Sequence, residues 1–181
     1  LLAAARRCRH IRAMPAAPII LTAAMAPADQ VWADRLRALH FPPERNHLAA
    51  HITLFHHLPP ALLPELKDRM RALAKEPPPS AILSEVYSLG HGVAYRVDSP
   101  DLIDIRAELA AAFHGLLTPQ DAASPRLHIT VQNKVSAGEA RALLAGLRAD
   151  FEPRRLHIAG LAAWHYRGGP WEAAFAASFR G

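Results

Sequence analysis

The chain has 181 residues, 51% of them hydrophobic, enough for one domain with a buried core and too few for two ordinary ones. No apolar run approaches the ~18–20 residues that a membrane span needs, so no membrane role is expected. The formal charge of +5 and pI near 10 suggest a nucleic-acid binder. However, Arg6, Arg7, Arg9 and Arg12 lie in an acid-free start, and without them 17 basic residues face 16 acidic ones, which argues against a broad polyanion-binding face.

Residues 1–13 (LLAAARRCRHIRA) read as a disordered basic tail or a non-native extension ahead of Met14. The composition also suits a targeting segment, but a starting Met and a long apolar stretch are missing. The single cysteine, Cys8, falls in this tail, so neither an intrachain disulfide nor a cysteine metal cluster is expected, and a reducing cytoplasm fits. Residues 14–181 are expected to form one domain.

Ile19 to Met25 reads as a buried strand. Pro27 and Asp29 then open a helix to His40, with Trp32, Leu36 and Leu39 at helical spacing. Ala50–Leu58 is a strand and is followed by a helix to about Ala74 that buries Leu62 or Leu63, Leu66, Met70 and Leu73. Pro77–Pro79 forces an extended linker. Two strands, Ala81–Leu89 and Val93–Asp98, flank a Leu89-Gly90-His91-Gly92 hairpin turn. Ser99-Pro100 opens a helix to Leu116 with Leu102, Ile105, Leu109 and Phe113 on one side. After a loop through Pro125 comes the strand Arg126–Val135, then a helix opened by a Ser136/Glu139 capping box. Arg155–Ala163 is a strand, and Trp171–Phe179 is a last segment able to pair with an existing sheet.

Two of these strands carry the same triplet. In AHITLFHHL the two-residue strand period puts His51 and Thr53 on one face, opposite Ile52 and Leu54. In RLHITVQNK it groups Arg126, His128, Thr130 and Gln132. Each His strand follows a strand and a helix, with 32 residues from Ile19 to His51 and 35 from Val93 to His128, which reads as a weak internal repeat. Facing imidazoles can take a proton from a nucleophile and give one to a departing oxygen, since histidine titrates near neutrality. The threonine hydroxyls can donate to nonbridging phosphoryl oxygens as charge builds. That is the equipment for phosphate-ester chemistry, and it requires no metal or cofactor.

The paired His-Ile-Thr-Leu at 51–54 and His-Ile-Thr-Val at 128–131 resemble the two-histidine (2H) phosphoesterase superfamily, which includes 2'-5' RNA ligase and RNA 2',3'-cyclic phosphodiesterase-like proteins. The resemblance covers roughly residues 17–180. It implies an α+β, bilobal fold, with two pseudo-symmetric lobes of antiparallel sheet, helices packed outside and a central cleft. It also implies opening of a cyclic phosphate, with His51 protonating the released ribose oxygen and His128 activating water, although an approximate two-fold relation makes these roles exchangeable. Ligation would be the same chemistry reversed. The chain departs from the RNA phosphodiesterase branch at His56-His57-Leu58-Pro59-Pro60 and Gln132-Asn133-Lys134, which bears on the substrate more than on the ester chemistry.

Other residues are weaker candidates. Arg126 and Lys134 stand at even offsets from His128 and could hold a phosphate. Phe55, Trp164 and Tyr166 are candidate base-stacking aromatics, the last two beside Trp171 and the Gly168-Gly169-Pro170 turn. Zinc held by His51, His57 and His128 fails on reach, because six strand residues span ~20 Å. Neither segment has the His-x-His-x-His run of the histidine-triad hydrolases. The expected partner is an RNA end or small nucleotide bound by a monomer without an obligate protein partner. The rival expectation is a nucleotide- or RNA-end-binding module with the same cleft and no turnover.

Overall fold

A computed structural model of the chain describes residues 17–180, so the tail at 1–13, Cys8 and Met14 lie outside it. In chain order the elements are β1 Ile19–Met25, α1 Pro27–His40, β2 Ile52–Leu58, α2 Leu63–Leu73, β3 Ser80–Ser88, β4 Val93–Asp98, α3 Pro100–Ala112, α4 Pro119–Ala122, β5 His128–Gln132, α5 Ala137–Ala149, β6 Arg154–His165 and β7 Glu172–Ser178. The fold is α+β, an antiparallel sheet with helices packed around it. Among the described residues no helix is long and apolar enough to cross a membrane.

The strand order is β2-β1-β6-β3-β4-β5, and β7 pairs with β6. The twelve residues of β6 join the two halves of this path. Arg154–His157 pair with β3, and Ile158–His165 pair with β1, with β7 on the other side. At Gly160 the approach of β7 leaves no room for a side chain, because a Cβ there would lie 2.4 Å from the Ala177 carbonyl oxygen. The outermost strands in the order, β2 and β5, are in contact with one another. The sheet therefore curls until its two ends meet, and those ends are the two His strands.

Local signals set most boundaries. Ser99 Oγ accepts the Leu102 N–H and Pro100 follows at the first turn of α3. Ser136 and Glu139 form the reciprocal capping box of α5, a device worth about 1 kcal/mol. Leu66 and Met70 of α2, Leu102 and Leu109 of α3, and Phe113 just beyond it lie buried against Ile52, Leu54, Ile129 and Val131 in one core.

Four expectations are corrected. The buried residues of α1 are Asp29, Ala33 and Arg37, while Leu39 is 69% exposed, because this helix packs a partly polar face inward. The helix α3 ends at Ala112 rather than Leu116, and Gly115 takes up a positive φ of 80° in the following turn. Within the loop expected through Pro125, Thr118 caps the one-turn α4. The strand β5 stops at Gln132, short of Val135, and Lys134 adopts φ 62° in the turn beyond it.

Candidate active site

His51 immediately precedes β2 and His128 opens β5, and both are half-buried. Their anchors are the same. His51 Nδ1 lies 2.8 Å from the carbonyl oxygen of Ala49, and His128 Nδ1 lies 2.6 Å from that of Arg126, two residues back in each case. A carbonyl only accepts, so each Nδ1 carries hydrogen and each neutral ring keeps its lone pair on Nε2. Burial pushes His51 down to about 4; the Ala49 carbonyl opposes this, and charges on Arg37, His128 and His56 reinforce it. The contact between β2 and β5 brings the two His strands together. Thr53 and Thr130, also half-buried, follow at the two-residue strand interval.

The segment before His51 is held by α1. Asp34 Oδ1 accepts the Ala50 N–H at 2.7 Å, and Gln30 Nε2 donates to the Ala50 carbonyl at 2.8 Å, so both backbone groups of the residue before His51 are secured. Arg37 adds bonds from Nε to Asn46 Oδ1 and the Leu48 carbonyl, and from Nη1 to the Thr130 carbonyl at 3.0 Å. One buried guanidinium thus ties the approach to His51 to the strand of His128. Burial lowers its pKa from the usual value, with Asp34 opposing.

A second arginine makes the converse connection. Arg106 of α3, buried over the Phe55 ring, donates to the carbonyls of Leu54 in β2 and of Asp121 and Ala123 ahead of β5. Asp121 in turn accepts the N–H groups of His56 and His57 and the His56 ring nitrogen. Burial pushes the Asp121 carboxyl up, but these bonds outweigh it and hold it below its ordinary value.

The surroundings of the two histidines differ. Across the sheet from Thr53 come Thr22, Ala162 and Ala176, all small. Above this floor is a cavity of about 460 Å³, lined by His51 and by Thr22, Gln30, Asp34, Trp164 and Trp171 among others. The Trp171 ring leans on His51 at 4.5 Å between centroids, with Trp164 at 6.2 Å from Trp171. Across from Thr130 come Ala94 and then Tyr87, whose ring stands edge-on to His128 at 6.2 Å. Burial raises the Tyr87 phenol above its usual value, with Arg96 and Arg126 opposing.

Among the other candidates, Phe55 is 0% exposed and cannot stack on a base. Register shifts in the β1–β2 pairing break the alternation that would put it beside His51 and Thr53, leaving Leu54 and Phe55 both buried and His56 and His57 both exposed. Trp164 lines the cavity and donates from Nε1 to Thr22 Oγ1, whereas Tyr166 lies beyond β6, exposed and outside the cavity lining. Arg126 is exposed beside Tyr87 and contributes its carbonyl to His128. Lys134 is exposed in its left-handed turn, so the strand-face argument that aimed it at the cleft does not apply. Among the described residues no three His, Cys, Asp or Glu side chains converge as a metal-ligand set. Sequence reasoning missed Gln30, Asp34, Arg37, Arg106 and Asp121. The one signal available was a polar Gln30-Asp34-Arg37 stripe at helical spacing.

Comparison with known proteins bears on this arrangement. The chain's fold is similar to that of TT0787 of Thermus thermophilus, with a TM-score of 0.60 at 16% identity over 91% of this chain and 98% of that one. It is also similar to E. coli LigT crystallised with 3'-AMP, with a TM-score of 0.58 at 16% identity over 92% and 99%. Among curated proteins there was no match. The family model of the 2'-5' RNA ligase superfamily matches residues 25–170, a span that contains both His-Ile-Thr strands and the helices whose arginines join them. The chain therefore belongs to the 2'-5' RNA ligase superfamily, of the 2H phosphoesterase type.

Proposed function

We propose that this chain opens a 2',3'-cyclic phosphate, or a related cyclic phosphodiester, on an RNA end or small nucleotide without a metal ion, and that His51 and His128 move the protons. The observation that carries this reading is the repeated anchor, in which each Nδ1 bonds the carbonyl two residues back and each Nε2 is left to exchange a proton. In this reading the two strand–helix–strand segments β1–α1–β2 and β4–α3–β5 are equivalent lobes about a central cleft. Family membership supports phosphoesterase or ligase chemistry. The LigT crystals with 3'-AMP and with phosphate support a nucleotide phosphate as the kind of ligand.

The repeated anchors support the following steps. His128 Nε2 takes a proton from water, the water oxygen attacks phosphorus in line, one phosphorus–ribose oxygen bond breaks, and His51 Nε2–H protonates the released oxygen. Thr53 and Thr130 donate to the nonbridging oxygens, and their bonds strengthen as negative charge builds there. His51, at about 4, is neutral at pH 7 in the free protein. For hydrolysis it takes up a proton as the phosphate anion arrives. In the reverse direction it is already prepared to remove a proton from a ribose hydroxyl, which supports 2'-5' ligation as the same reaction run backwards.

The test is incubation with 2',3'-cyclic nucleotides and cyclic-ended oligonucleotides in EDTA. Ring opening by the parent, lost in both His51→Ala and His128→Ala, is the expected result. Absence of turnover on every cyclic phosphate would overturn the proposal and leave a nucleotide-binding module.

A further inference from the structure

The cavity beside His51 has a one-sided hydrogen-bonding character. Both Nε2 hydrogens of Gln30 are committed, to the Asp34 carboxylate at 3.1 Å and the Ala50 carbonyl at 2.8 Å. The reversed amide would set Oε1 against a carboxylate and a carbonyl, so the orientation is fixed and Gln30 offers the cavity an acceptor. Asp34 can only accept, and its Oδ2 is engaged by Gln30 alone. The Thr22 hydroxyl donates to the Ala162 carbonyl, and the Trp164 N–H donates to Thr22. The side-chain donors of Thr22, Gln30 and Trp164 are thus spent within the wall, and His47 is exposed at the rim. Two tryptophans and a floor of small residues supply flat apolar contact, and the volume falls within the range of small-ligand sites, about 300–1,000 Å³.

We infer that this cavity selects a substrate nucleobase bearing an exocyclic amine, whose two hydrogens reach Gln30 Oε1 and the Asp34 carboxylate while the ring lies along Trp171 and Trp164. The inference rests on the proposed cyclic-phosphate chemistry, because it puts the base on the His51 side of the reacting phosphorus. Uracil and hypoxanthine would bring a carbonyl oxygen to the same place, facing two acceptors with no hydrogen between them. On the His128 side Tyr87 occupies the cross-strand position that Ala162 leaves open beside Thr53.

The experiment compares bases that exchange an amine for a carbonyl, cytidine with uridine and adenosine with inosine, as 2',3'-cyclic phosphates for kcat/KM. Binding of 3'-CMP and 3'-UMP is followed in parallel by tryptophan fluorescence. A preference for the amine-bearing member of about tenfold or more in both readouts is expected, together with its loss in Gln30→Met, where the acceptor is gone. A general disturbance of His51 in that variant would lower both members of a pair and leave their ratio unchanged. Equal turnover and equal affinity within each pair, or an unaltered ratio in Gln30→Met, would overturn the inference while leaving the phosphoesterase reading intact. Preferential binding of 3'-CMP with no turnover of any cyclic phosphate would support the pocket and overturn the reaction.

Discussion

The two ends of the curled sheet share a His-Ile-Thr triplet and its anchor and differ in almost everything around them. Each end has a histidine anchored through Nδ1 to the carbonyl two residues back, a threonine two residues on, and an arginine reaching in from a helix of the other half. Beside His51 the cross-strand neighbours are small and a cavity opens, whereas beside His128 the corresponding place is taken by Tyr87. In-line displacement at phosphorus needs similar groups on opposite sides of one atom, while the substrate attached to that atom is asymmetric. Under the proposed function, a repeated triplet with unequal flanks meets both demands.

The largest expected effect comes from removing the shared part. His51→Ala and His128→Ala should each lower kcat by ~10³-fold or more, with unchanged circular dichroism. A tenfold or smaller loss in either variant would mean that the two ends are not equal partners. Arg106→Ala should come next, since it leaves three carbonyls without their donor, and a loss of about 3 kcal/mol of unfolding free energy in urea is expected. Thr53→Val and Thr130→Val should each lower kcat by ~10²-fold with little change in KM, because the hydroxyl bonds tighten only as charge develops.

The smallest effect tests the asymmetry. His51 titrates at about 4 in the folded chain, so the acid limb of kcat/KM should have its midpoint there rather than near 6.5. Trp171→Ala uncovers the ring, reduces the burial that disfavours its charge, and should move that limb upward by about one pH unit. Between the folded value and 6.5 the unfolded chain binds more protons at this residue. Its contribution to stability is therefore complete above pH 6.5 and declines as the pH falls toward 4, a trend that Trp171→Ala should flatten in thermal unfolding.

Much of this was legible in residue order. The ranges of β1, α1 and β4, the capped starts of α3 and α5, and the repeated His-Ile-Thr strands follow from two- and 3.6-residue periodicities and from capping chemistry, which act within a few residues. The Phe55 misreading shows the limit of such reasoning, because the β1–β2 register shifts reverse a face without any Gly or Pro to announce them.

Sequence alone thus determined which two strands carry the His-Ile-Thr triplets and which helices precede them. Only the tertiary structure decided that these strands stand at opposite ends of the sheet order and still meet. It also decided that Arg37 and Arg106 reach carbonyls 93 and 52 residues away, and that Trp171 covers one histidine and not the other. The physical reason is that strand and helix patterns reflect neighbours along the chain. The path of β6 through both halves of the sheet, the packing of α1 over β5 and the small floor beside Thr53 depend on what folds against them from far away.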